Sequence, residues 1–238
     1  MTAAWAWPDI VFESSSGIDV HLLSTSGTTV LLDPSRWHAE PSHADLAVLD
    51  RAEDPILDIG CGPGRHAAEL TGAGRDALGI DSSGAAVRVA RRRGADAIQT
   101  CVFDAVPRTG EWATILLLDG NIGIGGAPGD LLRRCAELLR PGGRVLAEIL
   151  APDSTGRGER VKVVVRAAGG TASGVAGEHL ATPWFEWATV SASHIGELAR
   201  RVGFSVADVW CREGRWFAEL RLEDYSDPPA PPAVNAES

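Results

Sequence analysis

Short apolar runs alternate with helix-like stretches along most of this 238-residue chain. Runs near 55–59, 76–81, 97–103, 113–119 and 143–150 are strand-length and bounded by turn-forming or acidic residues, and they read as strands. Stretches near 64–72, 84–93, 129–140 and 193–202 read as helices. Alternation at this spacing predicts an α/β chain with a doubly wound, mostly parallel sheet covered by helices on both faces. Residues 114–118 carry four apolar residues in five, fit for a central strand buried on both faces. Farther on, residues 204–211 and 215–222 flank Arg212-Glu213-Gly214 and read as an antiparallel hairpin with glycine in its turn.

Two segments fall outside the alternation. Residues 1–50 form an N-terminal cap, in which 18–23 and 28–32 can pair as a small hairpin and 45–51 read as a helix leading into the first strand. Residues 151–192 form a β-rich insertion: 160–167 alternate basic and apolar residues, Gly169, Gly170 and Gly174 signal turns, and Pro183-Trp184-Phe185-Glu186-Trp187 follow. Residues 51–225 are thus expected to be one domain carrying the insertion 151–192. Residues 226–238, with four prolines and no apolar periodicity, read as a disordered tail.

The first apolar run opens the segment Ile56-Leu57-Asp58-Ile59-Gly60-Cys61-Gly62-Pro63-Gly64-Arg65. It reads as a strand ending in an acid, a glycine-dense turn, and a helix beginning near Arg65. Glycine permits the sharp turn and leaves bare backbone for a ligand to approach, while the helix points its N–H groups into the same space. A nucleotide-like ligand at the carboxyl end of a parallel strand is therefore expected. The dinucleotide fingerprint G-x-G-x-x-G wants a third glycine where this chain has Arg65, and no second nucleotide half follows, which disfavours a nicotinamide-dependent dehydrogenase.

The spacing Asp58, Gly60, Gly62, Gly64 resembles motif I, D/E-x-G-x-G-x-G, of the class I S-adenosylmethionine (SAM) methyltransferases. The resemblance continues in order through residues 55–150. Asp81 ends the second strand 17 residues after Gly64, where a carboxylate accepts from both ribose hydroxyls. Ser82 then lies beside the adenine, and Cys101-Val102-Phe103-Asp104 ends a third strand with an acid near the adenine amino group. Asp119-Gly120-Asn121 closes the central strand, and Leu138-Leu139-Arg140-Pro141-Gly142-Gly143-Arg144-Val145-Leu146 is similar to the family's helix, turn and fifth strand. The resemblance implies a Rossmann-like sheet of seven strands with the C-terminal hairpin as its antiparallel edge. It also implies SAM as cofactor, S-adenosyl-L-homocysteine (SAH) as product, and a cofactor set of Asp58, Gly60, Cys61, Gly62, Gly64, Asp81, Ser82, Phe103, Asp104 and Asp119.

Composition narrows the partners. The net charge of −10, from 22 basic and 32 acidic residues, argues against nucleic acid. The basic run Arg88, Arg91, Arg92 and Arg93 reads as the solvated face and last turn of a helix, where cations suit the dipole. Cys61, Cys101, Cys135 and Cys211 lack metal-ligand spacing, no His/Asp/Glu pattern suggests a metal, and Cys61 reads as a small packing residue. No apolar run is long enough to span a bilayer and the amino terminus does not have the order of a secretory signal, so the expectation is a soluble cytoplasmic monomer or homodimer with no membrane partner.

The acceptor end is less legible. Trp37, Trp184 and Trp187, in the cap and insertion, are candidates for stacking on a flat substrate, whereas Trp5 and Trp7 read as packing and Trp112, Trp210 and Trp216 as sheet core. Asp119 and Asn121 stand where the family's motif IV ends, beside the transferable methyl in enzymes of this kind, and the resemblance makes both catalytic candidates. The segment reads Asp-Gly-Asn-Ile-Gly-Ile-Gly-Gly rather than Asp/Asn-Pro-Pro-aromatic, which is closer to small-molecule enzymes. Asp119 can equally hold the methionine end of SAM, and Asn121 can equally shape the loop. Among the histidines, His38 is the leading base candidate, ahead of His179; His66 reads as packed near the cofactor, and His21, His43 and His194 as surface or helix positions. The chain is thus expected to methylate an O, N or C nucleophile of a small organic acceptor. Non-methylating chemistry on the same cofactor, or a non-catalytic subunit of this fold, are the alternatives.

Overall fold

A computed structural model of the chain describes residues 9–13, 18–154, 156, 158–167 and 180–223. The N-terminal elements are α1 (Asp9–Glu13), β1 (Ile18–Ser24), β2 (Thr29–Leu32), α2 (Ser35–His38) and α3 (His43–Leu49). The alternating part follows as β3 (Ile56–Ile59), α4 (Arg65–Gly72), β4 (Ala77–Asp81), α5 (Gly84–Arg92), β5 (Ala97–Gln99), β6 (Trp112–Leu117), α6 (Pro128–Leu138) and β7 (Leu139–Ile149). The chain then forms β8 (Gly158–Ala167), β9 (Leu180–Ala181), β10 (Phe185–Ala188), α7 (Ile195–Arg200), β11 (Phe204–Arg212) and β12 (Arg215–Leu222). No helix among the described residues is long and apolar enough to cross a membrane.

The main sheet has the order β11-β12-β7-β6-β3-β4-β5. The five strands from β7 to β5 are parallel, and β12 runs antiparallel to both β7 and β11. All six residues of β6 and all four of β3 are buried, as strands covered on both faces must be. From β3 the chain winds outward to β4 on one side and later returns to β6 on the other, so the loops after β3 and β6 part and leave a crevice at their carboxyl ends. The main departure from expectation is β5. It stops at Gln99, not near 103, and residues 101–104 form a turn closed by Asp104 N–H to Cys101 C=O at 3.0 Å. Arg134 of α6 holds that turn through the carbonyls of Val102 (2.9 Å) and Asp104 (2.8 Å), so backbone groups that a longer strand would have paired are bound sideways.

The N-terminal segment and the insertion build a second sheet together, in the order β10-β8-β1-β2 with β9 on β8. β1 and β8 pair antiparallel from Ile18↔Ala167 to Ser24↔Val161. Val161, Val163 and Val165 alternate onto one face with Val11, Val20 and Phe185, giving this sheet its own small core. It is tied to the main body by an antiparallel bridge between Ile124 and Trp187 and by two arginines in and just after α5. Arg88 pairs with Glu13 at 3.0 Å, and Arg93 donates to the carbonyls of His38 (3.1 Å) and Ala39 (2.6 Å). Those two members of the basic run thus fasten the N-terminal segment. Trp5, Trp7, His179, the turn glycines 169, 170 and 174, and the tail 226–238 lie outside the described residues.

Helix α4 meets α5 closely at the glycine turn. A Cβ on Gly64, whose φ is +83°, would lie 2.7 Å from the Ala90 Cβ and 2.8 Å from its Cα. Gly64→Ala is expected to destabilise the chain by about 2–5 kcal/mol, from left-handed strain and overpacking together. Urea denaturation measures this, and an unchanged midpoint would show that the two helices can slide apart.

Candidate active site

At the crevice the structure encloses a cavity of about 600 Å³, within the usual range for small-molecule sites. One wall is the glycine turn. Gly60 and Cys61 donate to the Ile80 carbonyl at 2.8 and 3.0 Å, which pins the turn to the end of β4. Gly60 must be glycine because a Cβ there would sit 2.8 Å from the Asn121 side-chain nitrogen. That nitrogen donates to the carbonyls of Ile59 (2.9 Å) and Gly60 (3.0 Å), so Asn121 staples the loop after β6 to the turn after β3. Both amide protons of Asn121 are engaged there.

Asp81 presents both carboxylate oxygens at the rim of this wall. Oδ2 accepts from Gly62 N–H (3.0 Å) and Oδ1 from Ser83 N–H (2.8 Å), leaving each oxygen a further lone pair. Burial pushes its pKa upward against these two bonds. Gly60, Cys61, Gly62, Asp81, Ser82, Phe103, Asp104 and Asp119 of the expected cofactor set line the cavity, whereas Asp58 and Gly64 do not. Gly64 serves helix packing, and Asp58 lies buried behind the turn with Oδ2 unpartnered and its carboxyl pushed up to about 6, chiefly by burial. Cys61 is buried and its thiol is driven well above the ordinary range by burial and by the charges of Asp58 and Asp81, so it packs rather than reacts.

Below the turn lies a charged cluster that the sequence did not reveal. Arg65 is 5% exposed. Its Nη2 donates to both oxygens of Asp119 (2.7 and 2.6 Å), and its Nη1 to Asp45 (3.1 Å). Asp45, fully buried in the capping box of α3, also accepts from Ser42 N–H (2.8 Å) and Arg215 (2.6 Å), and its Oδ1 lies 3.3 Å from His66 Nε2. Arg215 in turn binds Glu148 at 2.7 and 2.9 Å, and Glu148 accepts from the Asp119 backbone at 2.8 Å. Burial alone would raise the carboxyl of Asp119, but the charges of His66 and Arg65 outweigh it and hold the pKa below the usual range. Burial alone would lower His66, but the Asp45 hydrogen bond and the charges of Asp119 and Asp58 raise it above 6.5. The only local hints were an arginine opening a helix after a glycine turn, and charged residues set into the apolar strands β7 and β12.

His66 lines the cavity, and His38 does not. The His38 ring is bonded instead to the backbone of Val11, and burial together with Arg93 depresses its pKa. The expected base candidate His38 is thus placed off the cavity lining, with its ring turned to the backbone of α1. Asp119 lines the cavity but is claimed by Arg65. Trp37, Trp184 and Trp187 all line the roof that the second sheet forms over the cavity, joined by Phe12, Leu22 and Leu32.

Comparison with known proteins agrees with this geometry. Residues 56–143 match the family model described as a methyltransferase domain. A ubiquinone biosynthesis O-methyltransferase of Burkholderia lata is 32% identical over 128 residues, covering 50% of this chain and 52% of that protein. A protein of the same description from Xanthomonas oryzae pv. oryzae is 29% identical over 111 residues, 44% of this chain and 46% of its own length. The chain thus spans about half the length of the curated relatives it matches. Among solved structures, a SAM-dependent methyltransferase from Bacteroides fragilis in complex with SAH superposes with a TM-score of 0.69 at 21% identity, over 90% of this chain and 92% of that one. The 1,6-didemethyltoxoflavin-N1-methyltransferase of Burkholderia thailandensis gives 0.55 at 19% identity, over 79% and 81%.

Proposed function

We propose, on the premise that residues 56–143 are a methyltransferase domain in a class I fold, that this chain transfers the methyl group of SAM to a small organic acceptor. The observation that carries the reading is the pairing of Asp81 with the glycine turn. One backbone N–H to each of its oxygens fixes the carboxylate while leaving acceptor capacity for two ribose hydroxyls. The space beside it fits a nucleoside: nothing lies within 4 Å of where a Gly62 Cβ would stand, and Phe103 and Asp104 face the cavity from the turn held by Arg134.

When bound, SAM supplies an electrophilic methyl on a sulfonium, open to in-line displacement by an acceptor atom. The chain's own contribution is position and dryness, and holding reactants in line can be worth roughly 7–11 kcal/mol. The second sheet serves as the lid that excludes water. The relatives' names specify an O-methyltransferase and an N1-methyltransferase, and either kind of acceptor atom can carry a proton that must leave. His66 is the only histidine among the described residues that lines the cavity, and Asp45 orients it, so we assign it the proton. Asp119, neutralised by Arg65, positions rather than deprotonates. The four cysteines are all free, which suits a reducing cytoplasm, where the chain would work as a monomer or homodimer without nucleic acid.

Calorimetry tests the reading directly. SAM and SAH should bind in the micromolar range and NAD⁺ should not; silence from the first two sinks the proposal. Asp81→Ala should weaken SAM at least tenfold, since loss of hydrogen bonds to a charged acceptor costs ~1.5–3 kcal/mol. Unchanged affinity would break the assignment of Asp81 to the ribose.

A further inference from the structure

The roof of the cavity differs in chemistry from its floor, and that difference specifies what can enter. Over the cavity the N-terminal segment contributes Phe12, Leu22, Leu32 and Trp37, and the insertion contributes Trp184 and Trp187. Trp37 and Trp187 both pack against the valine core of the second sheet. Each is braced by a phenylalanine: Phe12 lies 6.2 Å from Trp37 at 35°, and Phe185 lies 6.3 Å from Trp187 at 83°. Indoles fixed in this way are flat apolar surfaces whose ordering entropy is already spent before a ligand arrives.

Charge excludes a large class of acceptors. Among the described lining residues the cationic candidates are Arg65 and His66, against the carboxylates of Asp81, Asp104, Asp119 and Glu186. Arg65 is occupied by Asp45 and Asp119, and His66 by Asp45. Two basic side chains of β8 that are not themselves lining residues are engaged by lining residues, Lys162 with its ammonium 5.0 Å from the centre of the Trp184 ring and Arg160 with Glu186 at 3.2 Å. A phosphate or carboxylate brought under this roof would lose its water and meet no uncommitted cation among the described lining residues, a heavy penalty. A polyol would leave its hydroxyls facing indole and leucine, which is also unfavourable.

We infer that the acceptor is an uncharged, flat aromatic molecule without phosphate or carboxylate, received by Trp37 from the N-terminal segment and Trp187 from the insertion. This rests on the SAM reading, and the test separates the two. The full chain is saturated with SAH and titrated at pH 7 with three ligands of matched size: 2-naphthol, its saturated counterpart decahydro-2-naphthol, and 2-naphthoate. Binding is followed by calorimetry and tryptophan fluorescence. The expected result is that 2-naphthol binds and quenches fluorescence, the saturated ring binds at least about fivefold more weakly, and the carboxylate at least about tenfold more weakly. Trp37→Ala should weaken 2-naphthol about fivefold or more with SAH affinity unchanged. Equal or tighter binding of 2-naphthoate, or of the saturated ring, overturns the inference, as does absence of 2-naphthol binding to a chain that binds SAH. The three ligands on the unaltered chain decide the matter even if a tryptophan variant fails to fold. Failure of SAH itself to bind would overturn the SAM reading and this inference with it.

Discussion

Arg65→Met should lower the unfolding free energy by about 3–5 kcal/mol, the usual consequence of removing one partner from a buried ion pair. Methionine keeps most of the length and apolar bulk of the arginine stem, so the loss falls on the guanidinium. Asp45 would retain Ser42, His66 and Arg215, whereas Asp119 would lose its close guanidinium pair and keep the Arg215 guanidinium at 3.7 Å and the charge of His66. The Asp119 carboxyl should then move upward in pKa, because a cation that held it down is gone while its burial persists. Urea denaturation of the single variant gives the cost. The double variant Arg65→Met/Asp119→Asn should recover part of it, since the stranded charge is removed. A single variant within 1 kcal/mol of the parent would mean that water already screens the cluster.

His66→Gln should reduce kcat by about 10²–10⁴-fold while leaving SAM affinity within a few-fold, the range expected for loss of a positioned base. Glutamine is the informative replacement because its amide nitrogen reaches about as far as Nε2 and can still donate to Asp45. The pH profile supplies the second readout. Only the neutral imidazole can take a proton. The folded pKa of His66 is raised above 6.5, so the parent's activity should rise with pH through a midpoint above that value. The variant should lack that rising limb. A profile identical to the parent's, or an unaffected kcat, would remove His66 from the chemistry and favour an acceptor that reaches the site already deprotonated.

The cofactor half of the site was legible because its determinants are local. A strand, a glycine turn and a helix start are read from ten consecutive residues, and Asp81 is found by its place at the end of the next apolar run. The parallel order of β3 to β7 followed for the same reason. What escaped was everything assembled from distant pieces. The valines of β8 alternate in a way that suits many partners, so nothing in 160–167 announced that β1 was theirs. Asp45, Arg65, Glu148 and Arg215 belong to α3, α4, β7 and β12, and each alone reads as an ordinary surface charge. His38 stood beside Trp37 in sequence, yet in the turn of α2 the indole faces the cavity and the imidazole faces α1. The end of β5 was misplaced because the arginine that bends it arrives from α6, some thirty residues later.

The pairing of β1 with β8 also sets an order of events at the ribosome. β1 is made before β3 to β7, but the strand it needs follows the whole of them. The main sheet can begin to assemble from its own neighbouring βαβ units, whose contacts are closer in sequence and whose loops close at lower entropic cost. Among the described strands, β1 and β2 pair only with each other until β8 is made, and a lone two-stranded hairpin is marginal in water. The nascent chain therefore carries an apolar edge that waits for its partner, and the roof is completed after the floor.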